Sequence, residues 1–199
     1  MFFYAVEDAL MRSILEKIIQ TLGADFSIGR EIAPQQGGHS KITSRIAELN
    51  RLAQNVPVFA LIDLDRVECA PAYIDDLFRS VENGKSDSFI LRICVKEAEA
   101  WTLADVEGFQ DFFSIPSGNM VNDTEEILDP KDYLISLIKR KASSEFKRSM
   151  LPRKPGSSRV GLGYNDALTE FTIRSWDPQR ASERNDSLYR ALQRIREVI

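Results

Sequence analysis

Residues 57–63, PVFALID, constrain this chain more than any other stretch. Val58 to Ile62 are apolar without a break, so both faces of the segment must be covered. That is the pattern of a central strand in a parallel sheet with helices on each side, not of a half-solvated antiparallel strand. FFYAV (2–6) and SFILRICV (88–95) read the same way. Between the strands, Leu10, Ile14, Leu15, Ile18 and Leu22 recur at helical spacing, and Gly23 stops the helix. A second helix spans 40–55, with Ser40 as cap and Ile42, Ile46, Leu49 and Leu52 inward. A third spans 70–84 and ends at Gly84. Asp25–Ile32 is a weaker, half-polar strand candidate, and APQQGGHS (33–40) is a loop by composition. Strands separated by helices predict an α/β fold with a mostly parallel, right-handed sheet.

Beyond Glu97 the signals turn helical. EAEAWTLADVEGFQDFF predicts one helix, and DPKDYLISLIKRKASS another, with Asp129 as cap and Pro130 at its first position. Met150–Asp166 is a Pro/Gly/Ser-rich basic loop, and two amphipathic helices close the chain. The organisation expected is an α/β core over 1–106 and a helical C-terminal extension over 107–199, packed as one unit. No apolar run approaches the roughly 20 residues of a membrane helix. The start MFFYAVEDAL lacks the positive region of a signal peptide. Cys69 and Cys94 have neither a disulfide framework nor zinc spacing, so a cytoplasmic protein is expected.

Charge is divided unevenly. Residues 1–138 hold 12 Lys/Arg against 23 Asp/Glu, and residues 139–199 hold 14 against 7. An acidic site in the first part and a polyanion-facing surface in the second would produce this; so would two halves that attract each other. Sites in open parallel sheets form at the carboxyl ends of the strands. Each of the three strands delivers acids there: Glu7 and Asp8, then Asp63 and Asp65, then Glu97 and Glu99. In extended chain, residues i and i+2 lie on one side about 6.6 Å apart, so Asp63 and Asp65 can share a cleft. Gathered carboxylates raise one another's pKa unless a cation neutralises them, and a hard ion such as Mg²⁺ suits oxygen donors. Each acid alone is an ordinary turn or helix-cap residue; the set together is more specific. His39, the only histidine, lies in a glycine-rich loop and reads as solvated. No Walker pattern is present, which excludes ATP binding by that motif.

FYAVED followed by a helix, and then ALIDLD, resembles the TOPRIM domain of topoisomerases, primases and OLD-family nucleases. The family's glycine after the glutamate is replaced here by Asp8. The resemblance extends to small bacterial TOPRIM-like proteins through GGHSKI, LIDLDRVECAP, RICVKEAEAWTLAD, DPKDYL, LPRKPGSSRVGLGYND and WDPQRASERNDSLYRAL. It implies one or two Mg²⁺ (or Mn²⁺) ions held by Glu7, Asp63, Asp65 and Glu99, with Glu97 as a further ligand. These same four first-named acids would be catalytic. Such proteins are often encoded beside ATPases in anti-phage loci, which implies an ATPase partner.

The expected activity is metal-dependent hydrolysis of a phosphodiester bond in DNA or RNA, with water as nucleophile. Lys41, at a helix start, and Lys147, Arg148, Arg153, Lys154 and Arg159, around the basic loop, would contact the nucleic-acid backbone. Arg92 and Lys96 lie beside the glutamates in sequence, where they would either meet phosphate or pair with those acids. Trp101 reads as core, and the arginines of the last helices as a surface face or a partner interface. The rival expectation is a non-catalytic or conditionally active subunit that docks on an ATPase.

Overall fold

Alternate residues of each apolar strand pack on opposite sides, and this divides the interior in two. In the computed structural model, which describes residues 2–23, 31–32, 38–64, 69–82, 84–118, 120–154 and 158–198 (backbone only for 38–40), three strands are seen. They are β1 (Phe3–Val6), β2 (Val58–Asp63) and β3 (Phe89–Cys94), all parallel, in the order β1-β2-β3. The register sets Val6 beside Leu61 and Asp63 beside Cys94, so the three carboxyl ends lie together. Tyr4, Val6, Phe59, Leu61, Ile90 and Cys94 point into one core. Ala5, Val58, Ala60, Ile62, Leu91 and Ile93 point into the other.

The second core is closed by α2 (Gly38–Thr43), α3 (Ile46–Leu52) and α4 (Ala70–Phe78). The larger core packs α1 (Ala9–Thr21) against the sheet, where Leu10, Ile14 and Ile18 are buried as their spacing predicts. It also takes in side chains from α5 (Ala98–Ala104), α6 (Val106–Phe113), α7 (Pro130–Lys141) and α8 (Ser144–Met150). The last three helices, α9 (Tyr164–Arg174), α10 (Pro178–Ser182) and α11 (Asp186–Arg196), complete it. Residues on both sides of position 106 therefore share one hydrophobic interior, from Phe2 and Trp101 to Phe171 and Leu192.

Several elements differ from the sequence expectations. The helix over 40–55 is two, broken at Ser44 and Arg45, and it begins at Gly38 rather than after Ser40. The helix from Glu97 is also two, because Asp105 leaves helical geometry (φ −80°, ψ 75°) and caps α6 by accepting from Gly108 N. The helix from Ala70 ends at Phe78, short of Gly84. Of the weak strand over 25–32, residues 25–30 lie outside the described residues. Its end forms one parallel bridge, Glu31 to Tyr4. Asp129 caps α7 as read, accepting from Asp132 N at 2.8 Å.

The basic loop is pinched at its base. Gly161 N donates to Met150 O (2.8 Å) and Gly163 N to Ser149 O (3.0 Å). A Cβ on Gly161 would run into the carbonyl oxygens of Ser149 and Leu151. Gly161→Ala is therefore expected to cost about 1–3 kcal/mol by forcing backbone apart. A lowered melting temperature and faster tryptic cutting after Arg153 would register it; unchanged values for both would refute the pinch.

Candidate functional site

A parallel sheet leaves the first turn after each strand facing the same end, and here those turns are acidic. Asp8 takes an extended conformation (φ −151°) and its Oδ1 accepts from Met11 N at 2.9 Å, capping α1. Since that backbone is not left-handed, no glycine is needed at this turn. Capping turns Asp8 toward its own helix, and Glu7 reaches across to the next strand. Glu7 Oε1 accepts from Asp63 N at 2.9 Å, which binds the end of β1 to the end of β2. Asp63 Oδ1 is shut off from solvent. Asp65 lies outside the described residues.

The third strand delivers its acids through a tight turn in which Lys96 is left-handed (φ 69°). Glu97 is the cap residue before α5, and Glu99, in the first turn of that helix, is 4% exposed. Both glutamates meet Lys131 from the first turn of α7. Its Nζ lies 3.2 Å from Glu99 Oε1 and 3.6 Å from Glu97 Oε1, and its backbone N donates to Glu97 Oε2 at 3.0 Å. Tyr164, the first residue of α9, donates its hydroxyl to Glu99 Oε1 at 3.0 Å. Burial raises the pKa of Glu99, and Glu97 adds to this, while Lys131 and Tyr164 oppose it. Burial acts to lower the pKa of Lys131, but Glu99 and Glu97 together overcome it and hold the ammonium above its ordinary value. Burial first, and then the phenol's proximity to Glu99, pushes the Tyr164 hydroxyl far up, so it remains a donor.

Cys94 lies under this group. Its thiol is raised well above normal by burial, and then by the charges of Asp63, Glu7, Asp8 and Glu99. The ends of all three strands thus converge electrostatically on one buried sulfur.

Glu7, Asp63, Glu97 and Glu99 are brought to one end of the sheet, as their sequence positions predict. Among the described residues no three His, Cys, Asp or Glu side chains are already closed around a point that would hold an ion. The donor chemistry at Glu7 and Asp63, carboxylate oxygens on adjacent strand ends, fits a hard divalent cation. Glu97 and Glu99 share the single positive charge of Lys131 instead.

Lys131 and Tyr164 were not singled out from sequence. The available signal for Lys131 was its isolation, as the only basic residue between Lys96 and Lys139. Tyr164 carried no local signal beyond ending a glycine-rich loop.

The expected phosphate-binding cations separate into groups. Arg148, Arg153 and Lys154 line one groove of about 450 Å³ beside Ser149 and Gly161. Lys147, in the last turn of α8, lies outside that lining. Arg159 is engaged with Asp129 and Asp132 at the start of α7, its Nε donating to Asp132 Oδ1 at 2.7 Å. Lys41 is exposed in α2, in its last turn rather than at its start. Arg92 lies within β3, five residues before Glu97, and its charged neighbours are Arg194, Glu197 and Arg190 at the C-terminal helix. Trp101 is core, 1% exposed, with Nε1 donating to Ser187 Oγ at 2.8 Å. Arg180, with a side chain 41% exposed, also grips the buried carboxylate of Asp105.

The Tyr164–Glu99 bond yields a pH-dependent expectation. Glu99 binds its proton more tightly in the folded chain than in the unfolded one. Its ionisation therefore erodes stability as pH rises from the unfolded value through the raised folded value. Tyr164→Phe removes a donor that serves the ionised form, so it should raise the Glu99 pKa further. Its cost should be about 1–3 kcal/mol at pH 8 and smaller at pH 5, where the carboxyl is more protonated. Denaturant unfolding at the two pH values checks this; equal costs would remove the assigned role of the phenol.

Comparison of the chain with protein-family models, with curated proteins and with solved structures finds no match to any of them.

Proposed function

We propose that this chain is a TOPRIM-like, Mg²⁺-dependent nuclease subunit that hydrolyses phosphodiester bonds of DNA or RNA. The observation that carries this reading is the union of Glu7 and Asp63 at adjacent carboxyl ends of a parallel sheet. Asp65, two residues on, is the third ligand in this reading. Mg²⁺, or Mn²⁺ in its place, would supply activation of the attacking water and offset charge on the phosphoryl oxygen.

The chain's own residues do the rest. Lys131 holds a positive charge between Glu97 and Glu99, within reach of the cleft's field. It takes the place that a second ion would otherwise fill, so the proposal is for one ion rather than two. Tyr164 holds Glu99 in position, and Glu99 in turn holds Lys131. The groove of Arg148, Arg153 and Lys154 takes the nucleic-acid backbone. It connects to the cleft because Gly161 and Gly163 anchor the loop directly before Tyr164. An ATPase partner and a role in anti-phage defence accompany the family resemblance alone.

A second reading is a non-catalytic subunit docking on an ATPase. It is favoured by one specific observation: Glu97 and Glu99 are already satisfied by Lys131 and Tyr164. One experiment separates the two. The purified chain is incubated with DNA and with RNA in Mg²⁺ or Mn²⁺, with and without an ATPase encoded beside it. Glu7→Gln and Asp63→Asn run alongside. Cleavage that depends on both carboxylates supports the nuclease; cleavage that survives both substitutions overturns the metal site. No cleavage in any condition, with tight ATPase binding, establishes the second reading.

A further inference from the structure

Two arginines of the basic segment find no counter-charge. Arg159 is committed to Asp129 and Asp132. Among the described residues, neither Arg148 nor Arg153 is held by a carboxylate. Both line the groove of about 450 Å³ at the base of the loop, with Lys154 beside them, and no Asp or Glu lines it. A concave surface lined by charge of one sign concentrates that field and draws an anion.

The same groove has an apolar side. Leu151 and Val160 rest against the larger core, which fixes them in place. Leu162 also lines the groove and is 94% exposed. Gly161 N and Gly163 N, donating to Met150 O and Ser149 O, tie down the backbone on both sides of that leucine. A single exposed leucine is ordinary on a protein surface. Here, however, three apolar side chains share one groove with three cations. Phosphates alone would engage only the cations, so the apolar side suits a ligand that also brings an apolar face.

We infer that this groove takes an unpaired nucleotide, and that the substrate is therefore single-stranded nucleic acid. The phosphates lie on Arg148, Arg153 and Lys154, and the base lies against Leu151, Val160 and Leu162. In a duplex each base is paired and stacked on its neighbours, so its face is not available to the protein. The groove has the volume of a small-molecule pocket, which admits a nucleotide but not a length of double helix. The inference rests on the proposed nuclease, and it adds which form of DNA or RNA reaches the cleft.

Binding is read by fluorescence anisotropy in EDTA, so that cleavage does not contribute. The probes are labelled oligothymidylate and oligouridylate about twelve nucleotides long. The DNA probe annealed to its complement, and an abasic deoxyribose-phosphate chain of equal length, complete the set. Both single strands, or one of them, should bind about tenfold more tightly than the duplex or the abasic chain, the effect of seating one base. Equal binding of the two single strands means that the sugar is not read; a preference names DNA or RNA; either upholds the inference. Leu162→Ser should abolish the preference for single strands over the abasic chain. Its exposure leaves the fold unaffected, which an unchanged melting temperature shows. Arg153→Gln should weaken all the probes and reduce the slope of log affinity against log salt by about 0.7 for a single strand. Duplex or abasic chain bound as tightly as the single strands, a preference retained in Leu162→Ser, or affinities unchanged in Arg153→Gln would each overturn the inference. Cleavage that depends on Asp63 would still stand in those cases, and the nuclease reading with it. Single-strand preference together with cleavage that ignores Asp63→Asn would have the opposite meaning, keeping the groove and removing the metal site.

Discussion

On the proposed nuclease reading, Asp63→Asn is expected to lower phosphodiester cleavage about a thousandfold while leaving the fold intact. A divalent ion offsetting charge at a phosphoryl oxygen contributes several kcal/mol to the transition state. Loss of about 4 kcal/mol corresponds to roughly three powers of ten in rate. The asparagine keeps the shape of Asp63 and its backbone N–H, which donates to Glu7. Glu7→Gln likewise keeps an oxygen to accept that bond, so the two variants remove charge rather than structure. Without divalent ions both variants should stay folded, because each keeps the group that makes the bond between Glu7 and the Asp63 backbone. In the parent, Mg²⁺ should raise the melting temperature, since an ion that binds only the folded chain stabilises it by mass action. In the variants that increase should disappear. A parent chain whose melting temperature ignores Mg²⁺ and Mn²⁺ would remove the metal from this account, whatever the cleavage assay reads.

Asp105→Ala should produce the largest loss of stability. Asp105 is 1% exposed and takes four hydrogen bonds. Arg180 Nε and Nη2 donate at 2.7 and 2.8 Å, Asp177 N at 2.7 Å and Gly108 N at 3.2 Å. These contacts join the start of α6 to α10, and alanine would leave all four donors without their acceptor. Breaking a buried charge pair from one side costs about 3–5 kcal/mol. Arg180 is 41% exposed and recovers some hydration, which places the expectation near the lower figure. For a chain of this size about 3 kcal/mol corresponds to a fall of roughly 10 °C in melting temperature. Asp105→Asn, which keeps part of the acceptor capacity, should cost about half as much. A change of a degree or less in Asp105→Ala would show that the bonds are replaced by water.

Much of the fold was legible because strands and helices announce themselves locally. The unbroken apolar run 58–62 could only be a strand covered on both faces, and the 3.6-residue spacing of Leu10, Ile14 and Ile18 could only bury one face of α1. Carboxylates directly after strands were legible as site candidates because parallel strands end on one side. Helix breaks were less so. Asp105 could have stayed helical by propensity, and a distant arginine decides that it caps instead.

The linear sequence by itself determined the parallel α/β core and the placement of Glu7, Asp63, Glu97 and Glu99 at one end of it. Alternation and apolar runs are properties of neighbouring residues, so they survive in one dimension. Only the tertiary structure decided which charges meet. Lys131 is 32 residues from Glu99, and Tyr164 is 65 residues from it, yet both converge on one carboxylate. Arg92 stands only five residues before Glu97 in sequence, but its charged neighbours are Arg194, Glu197 and Arg190 at the C-terminal helix. Electrostatic interaction depends on distance in space, and no spacing along the chain encodes it.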